Sequence, residues 1–364
     1  MVKIFDKIVN KIKTNKLVKE SGGHTSITPP FPRLAKVYPG FEKGKYYIFT
    51  ASSGIGKTKF VKYFAITSVY NFIKQHPSVK AKIKYFALEE TEEEFWLSFL
   101  STMLYERFKI ELSTTQLKSL GQYTISNEHL EKINECKEYI EELSKFIEVI
   151  DYIHNGFGIY KNVREYFNNS EIGKHDSIKT KDGTEIITGY THINPDVYNF
   201  IIVDHISLLA SESINGIKMD LRDSMGYFSK EYCLKGFCKR YNCVVINVQQ
   251  QSAEKEKLEF HQGNTIDQKM EPSLDGLANN KETQRDADVI LGLFAPARYS
   301  IVTHRKYNIS KLGDNYRSLK FLKDRHYGCA NLYIPLYFNG AANYFEELPP
   351  PDSPLMENYY NIKT

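Results

Sequence analysis

Residues Thr50-Ala51-Ser52-Ser53-Gly54-Ile55-Gly56-Lys57-Thr58 combine glycine, lysine and hydroxyl at a spacing suited to gripping a chain of phosphates. Gly54 and Gly56 let the backbone turn so that successive N–H groups, from Ser53 through Ile55 to Thr58, converge on one phosphate. The strand-like run Tyr46-Tyr47-Ile48-Phe49 feeds this loop, and a helical pattern leaves it near Lys57. A helix starting there adds its partial positive charge at the same point. In this strand–loop–helix setting Lys57 is expected to reach the β- and γ-phosphates of ATP, and the Thr58 hydroxyl to ligate Mg²⁺. The usual motif opens with glycine, where this chain has Ala51. A flexible Gly/Ser turn before an ordinary helix is the competing reading.

Hydrolysis of a bound triphosphate needs two further carboxylates. Asp204 follows the four apolar residues Phe200-Ile201-Ile202-Val203 and suits a group that holds Mg²⁺ partly through water. A helix N-cap after a strand would use the same residue type. Glu89 ends the strand that follows the phosphate-loop helix, in place to act as general base on the attacking water. With Glu90 it also fits a solvated acidic turn.

The elements that must carry these residues are legible in outline. Apolar strands at Lys82–Leu88, Phe146–Ile150, Phe200–Asp204, Cys243–Val248 and Asp288–Phe294 alternate with helical stretches. Ser318–Leu322 and Leu332–Phe338 read as further strands. Such alternation implies an α/β fold, a mostly parallel twisted sheet with helices on both faces. Thr50, Glu89, Asp204 and Gln249 all fall at carboxyl ends of strands, the edge where open α/β sheets bind ligands. Phe60, Phe64 and Phe72 mark the inner side of the helix after the phosphate loop, and Thr91 with Glu92, Glu93 and Glu94 begins another. Residues 170–197 read as an inserted surface hairpin around Lys181-Asp182-Gly183-Thr184. We divide the chain into a basic helix and linker at 1–25, one catalytic domain at 26–348 and a tail at 349–364.

The net charge of +4 equals the charge of residues 1–20, so the remainder sums to zero. The body is therefore not a general polyanion binder, and any nucleic-acid contact must gather its cations locally. The first 20 residues carry Ile4, Phe5, Ile8, Val9 and Ile12 at helical spacing between lysines. A helix so short needs a surface to lie on: another subunit, the chain's own core or a membrane. No apolar run reaches membrane-spanning length and no signal pattern opens the chain. Five scattered cysteines suit buried thiols in a reducing compartment.

At Phe86-Ala87-Leu88-Glu89 the chain resembles the DnaB-type replicative helicases, and further segments follow in the same order. Phe31–Thr58 resembles that family's approach to its phosphate loop, where alanine at the first position is usual. Ile201–Asp204 resembles its Walker B strand. Val244–Gln249 resembles its strand ending in Ser-Gln, with Val248 in place of Ser. Gln284–Ile290 resembles Glu-Gln-Asp-Ala-Asp-Val-Ile, and Lys323-Asp324-Arg325 followed by Gly328 resembles Lys-x-Arg-Asn-Gly.

The resemblance, over roughly residues 28–345, implies a RecA-like P-loop NTPase core working as a ring, usually of six, with ATP and Mg²⁺ at subunit interfaces. It implies that Glu89 is the catalytic base and that Gln249 senses the γ-phosphate. Lys323 and Arg325 then reach the neighbouring subunit's nucleotide as sensor and arginine finger. It implies translocation on single-stranded DNA during DNA replication, in the cytoplasm, or the host cytoplasm if the chain is phage-encoded, as its lack of a collar domain suggests. A primase or helicase loader is a candidate partner. The loop 250–285, where such helicases grip DNA, has five cations against seven acids, and we single out Lys255 and Lys257 as DNA contacts. A recombinase-like or strand-annealing ATPase and a non-helicase switch ATPase are the alternatives.

Overall fold

The computed structural model describes residues 4–214, 217–252, 270–278 and 280–361. Among these, nine strands form the central sheet: β1 (Tyr46–Ala51), β2 (Lys80–Ala87), β3 (Ile147–Ile150), β4 (Val197–Asp204), β5 (Val244–Gln250), β6 (Val289–Phe294), β7 (Tyr316–Asp324), β8 (Tyr333–Asn339) and β9 (Tyr344–Glu347). Their spatial order is β9-β8-β7-β6-β1-β5-β4-β2-β3. The pairs from β3 across to β6 are parallel, and β6-β7, β7-β8 and β8-β9 are antiparallel. The expected α/β architecture is present, with the parallel half built from apolar runs buried on both faces.

Strand alternation sorts the core into two layers. Tyr47, Phe49 and Ala51 of β1 point into one, against Phe60 and Phe64 of the phosphate-loop helix. Tyr46 and Ile48 point into the other, against Ile159, Val163 and Phe167 of the helix Gly156–Phe167 and Phe228 and Phe237 of the long helical segment 221–240. Phe31, Phe60 and Phe64 stack with ring centres 5.3 to 6.3 Å apart. Each such buried ring contributes about 1.5–3 kcal/mol through burial.

Two helices depart from the regular form that their periodicity predicts. The helix from Lys57 to Gln75 is wound as a π-helix between Lys62 and Thr67, and the segment after Tyr227 is π-helical from Phe228 to Arg240. Thr91 caps the helix Glu92–Phe108 in a reciprocal box with Glu94. The residues between 170 and 197 pair as Gly173–Lys179 against Glu185–His192, with Gly183 at φ +85° in the turn. Residues 349–361 do not hang free as a tail. Met356 is buried with Leu348, Tyr307, Ile309 and Tyr316, and Tyr359 and Tyr360 pack on the same cluster.

The helix Ile4–Glu20 leaves Ile4, Phe5, Ile8, Ile12 and Leu17 each more than half exposed. Of the three surfaces considered for it, the chain's own described core is therefore removed. No described helix is long and apolar enough to cross a membrane. All five cysteines are free and buried.

Candidate active site

A cavity of about 410 Å³ opens at the carboxyl edge of β1, β2, β4 and β5. It gathers Ser53, Gly54, Gly56, Lys57 and Thr58 with Glu89 and Asp204, residues drawn from three separate stretches of sequence. Gly54 at φ +73° and Gly56 at φ +97° hold the left-handed conformations that the loop requires. A Cβ on Gly56 would come within 3.2 Å of the Phe338 ring. Ile55 turns its side chain into the core, 2% exposed, so only its backbone serves the loop. Lys57 Nζ donates to Ser52 O at 3.3 Å.

Asp204 is 2% exposed. Its Oδ2 accepts from the Tyr85 hydroxyl at 2.7 Å, while Oδ1 has no hydrogen-bond partner among the described residues. A buried carboxylate oxygen left unpaired is costly unless a cation or its water completes it, which fits the Mg²⁺ role read from sequence. Burial and the neighbouring carboxylates push the Tyr85 hydroxyl up, so it stays a donor. Glu89 lies at the mouth, its side chain 62% exposed, with Oε2 3.6 Å from His205 Nε2.

Sequence reasoning passed over the neighbours that complete this wall. Lys62 is 4% exposed and donates to Glu90 Oε2 at 2.5 Å and to Ser98 Oγ at 2.9 Å. Burial raises the Glu90 carboxyl above its ordinary range, against the opposing pull of Lys62. Glu90 is thus committed to an ion pair, while Glu89 faces solvent. Lys62 is the first residue of the π-helical turn, a feature common at functional sites. His205 also lines the cavity; burial lowers its pKa, with Asp204 and Glu89 opposing.

Gln249, expected to sense the γ-phosphate, lies away from the cavity wall in this structure. Its Nε2 donates to Ala278 O at 2.8 Å and Asn280 O at 2.9 Å, and its Oε1 accepts from the Thr283 hydroxyl at 2.7 Å. It is fully buried, absent from the cavity wall and occupied with Ala278, Asn280 and Thr283. Gln250, one residue on, lines the cavity instead. The cause is parity. Val244, Ile246 and Val248 face the layer of the phosphate-loop helix and Val245 the other, so even-numbered β5 residues point to the nucleotide side. Ile202 lies in that same layer, which puts Asp204 there too.

Lys323 and Arg325 stand at the opposite edge of the sheet. Asp324 pairs with Val289, and the Arg325 N–H donates to Asp288 O, whose own N–H donates to Tyr46 O at the start of β1. Five residues of β1 separate that point from the phosphate loop, roughly 17 Å. Lys323 Nζ donates to Gln284 O and, at 2.8 Å, to Ala287 O; burial and the Arg325 guanidinium lower its pKa to about 8. Arg325 donates to Arg285 O and is 41% exposed. Neither cation reaches the phosphate loop of its own chain. Lys255 and Lys257 lie outside the described residues.

No family model and no curated protein matches the sequence. Solved structures do. The chain is similar to the ATPase domain of G40P, at 17% identity and TM-score 0.67, over 96% of this chain and 100% of that one. It is also similar to a DnaB-like replicative helicase whose structure was described with its primase interactions, at 16% identity and TM-score 0.64, over 93% of this chain and 66% of that one. The mostly parallel sheet, its two helical layers and the antiparallel strands β7 to β9 thus make up the RecA-like fold of DnaB-like helicase ATPase domains.

Proposed function

We propose that the chain is an ATP-dependent DNA helicase that assembles as a ring, with six subunits the expected number, and moves along single-stranded DNA during replication. The observation that carries this reading is the separation of the two charged sets. Phosphate-binding groups gather at one sheet edge, and Lys323 and Arg325 sit at the other, out of reach of their own nucleotide. A neighbouring subunit in a ring brings one edge to face the next. The fold shared with DnaB-like ATPase domains supports the same assignment.

In this reading the N–H groups of residues 53–58 and the Lys57 ammonium hold the triphosphate. Thr58 and the free Oδ1 of Asp204, directly or through water, are the groups that hold Mg²⁺. When bound, Mg²⁺ neutralises charge building on the phosphate oxygens. Glu89 takes the proton of the attacking water, with His205 beside it, and Gln250 rather than Gln249 faces the γ-phosphate. Arg325 and Lys323 act on the adjacent subunit, so hydrolysis shifts one protomer against the next. Lys255 and Lys257 are retained as DNA contacts, and a primase or loader as a candidate partner.

The test is a forked duplex, with ATPase rate measured with and without single-stranded DNA beside the oligomer mass. ATP-dependent strand separation by an oligomer whose turnover rises with single-stranded DNA is the expected result. Strand exchange without opening points to a recombinase-like ATPase instead. A monomer with slow, DNA-independent turnover points to a switch.

A further inference from the structure

The phosphate loop is gripped from behind by two arginines that do not line the cavity. Arg317, on β7, is 2% exposed and its Nε donates to Ile55 O at 2.9 Å. Its Nη1 donates to Asp314 O at 2.7 Å and Tyr316 O at 2.9 Å, and lies 3.1 Å from Asp314 Oδ1. The guanidinium rests 4.5 Å from the centre of the Phe338 ring, the ring that lies against Gly56. Arg298, in the turn Pro296–Tyr299 after β6, donates from Nη1 to Ser53 O. A Cβ on Gly54 would meet that same nitrogen at 3.3 Å.

In a planar trans peptide the C=O and the following N–H point in opposite directions. An arginine holding Ser53 O outward therefore turns the Gly54 N–H the other way, and one holding Ile55 O does the same for Gly56. Gly54 and Gly56 both line the cavity. Glycine at positive φ has wide conformational freedom, so an unheld loop would spend binding energy on ordering itself. We infer that Arg298 and Arg317 form an outer clamp on the carbonyls of Ser53 and Ile55, and so act as positioning residues that preset the loop's N–H groups for the phosphates. Arginine suits the task because its donors leave a rigid plane in fixed directions.

This inference rests on the nucleotide reading of the same cavity, and the test separates the two. MgATP affinity is measured for wild type, Lys57→Ala, Arg298→Ala, Arg298→Lys and Arg317→Lys, with the thermal midpoint of each unliganded protein. Arg298→Ala is expected to weaken MgATP by about tenfold, the scale of one charge-assisted hydrogen bond, while its unliganded midpoint stays at the wild-type value. Its KM rises more than its kcat falls, and Arg298→Lys recovers most of the affinity. Arg317→Lys also weakens MgATP at temperatures far below its own midpoint, which separates the effect from unfolding. The clamp is overturned if wild type binds MgATP and Arg298→Ala binds it equally well, or if the losses only follow the unliganded midpoint. A wild-type chain that binds no MgATP, matching Lys57→Ala, overturns the nucleotide reading itself.

Discussion

The two edges of the central sheet keep their charges in different states. At the phosphate edge, Asp204 is buried with one oxygen unpartnered among the described residues, and Gly54 and Gly56 of the glycine loop line an open cavity. At the far edge, Lys323 and Arg325 rest on the backbone carbonyls of residues 284, 285 and 287, with Arg325 Nη1 also 3.9 Å from Asp288 Oδ1. An unpaired buried acceptor is a cost that a ligand relieves, whereas a cation on carbonyls is satisfied but free to move to a stronger anion. On the proposed reading one edge is a receptor and the other a donor, and a second copy would bring them together.

The largest effect expected on this division comes from Arg325→Ala. Turnover should fall by about 10³-fold, the range of an arginine finger, while MgATP affinity of the isolated chain holds. Mixing Arg325→Ala with Lys57→Ala subunits sharpens the point. Some interfaces in the mixture pair an intact phosphate loop with an intact arginine, so ATPase activity should return above that of either variant alone. If the mixture stays as inactive as its parts, the arginine is not working across an interface.

Glu89→Gln comes next, with a loss on the order of 10²-fold in single-turnover hydrolysis and retained ATP binding. Glu90→Gln serves as the contrast. It breaks the buried pair with Lys62 and should lower the thermal midpoint, which Glu89→Gln, with its mostly exposed side chain, should not. Equal turnover in Glu89→Gln and wild type removes the base assignment.

How much of this was legible beforehand varied with the range of the signal. The phosphate loop is a local pattern, and Gly54, Gly56, Lys57 and Thr58 could be placed without knowing what they touch. Asp204 could be placed at the cavity because it ends an apolar strand, and Glu89 because it follows closely on another. Lys62 was not, because a lysine in a helical run normally marks the solvated face, and only the π-helical turn and Glu90 explain its burial. The docking of Met356 was hidden for a similar reason. Leu348-Pro349-Pro350-Pro351 reads as a terminus, and the cluster that receives the last residues draws much of its surface from Tyr307, Ile309, Leu312 and Tyr316, far back in the chain.

Glu271 provides the settled counterpart to Asp204. It too is buried, 3% exposed, but its oxygens accept from His304 Nε2, Arg305 Nη2, Lys320 Nζ and the Tyr333 hydroxyl. Burial alone would raise its pKa; those donors outweigh it and hold the carboxyl down at about 2. A carboxyl with a folded pKa below its ordinary 4.5 stabilises the fold above that pH and loses the contribution as pH falls from 4.5 towards 2. Glu271→Gln should cost about 3 kcal/mol at neutral pH and flatten the acid limb of the stability curve, read by denaturant unfolding at stepped pH. An acid limb identical to wild type would show that the cluster is not the titrating group.

The smallest effects should separate two adjacent glutamines. Thr50 pairs with Gln249 and Ala51 with Gln250, so both glutamines end β5 beside the phosphate-loop strand, yet they face opposite layers. Gln249 is saturated by Ala278 O, Asn280 O and Thr283, so its loss strands buried donors and acceptors. Gln249→Ala should therefore cost about 1–2 kcal/mol of stability and change turnover only through that loss. Gln250 is half-buried and touches the cavity, so Gln250→Ala should reduce turnover by about tenfold and leave the unfolding midpoint in place. A reversed result, with Gln249→Ala slowing hydrolysis in a fully folded protein, would mean that β5 slips by one residue when nucleotide binds. A slip of one residue exchanges the two faces of a strand. It would bury Gln250 among the carbonyls that now hold Gln249 and carry Ala278, Asn280 and Thr283 with it. The same pair of variants, assayed for stimulation by single-stranded DNA, would then report whether that shift reaches the loop that follows the strand.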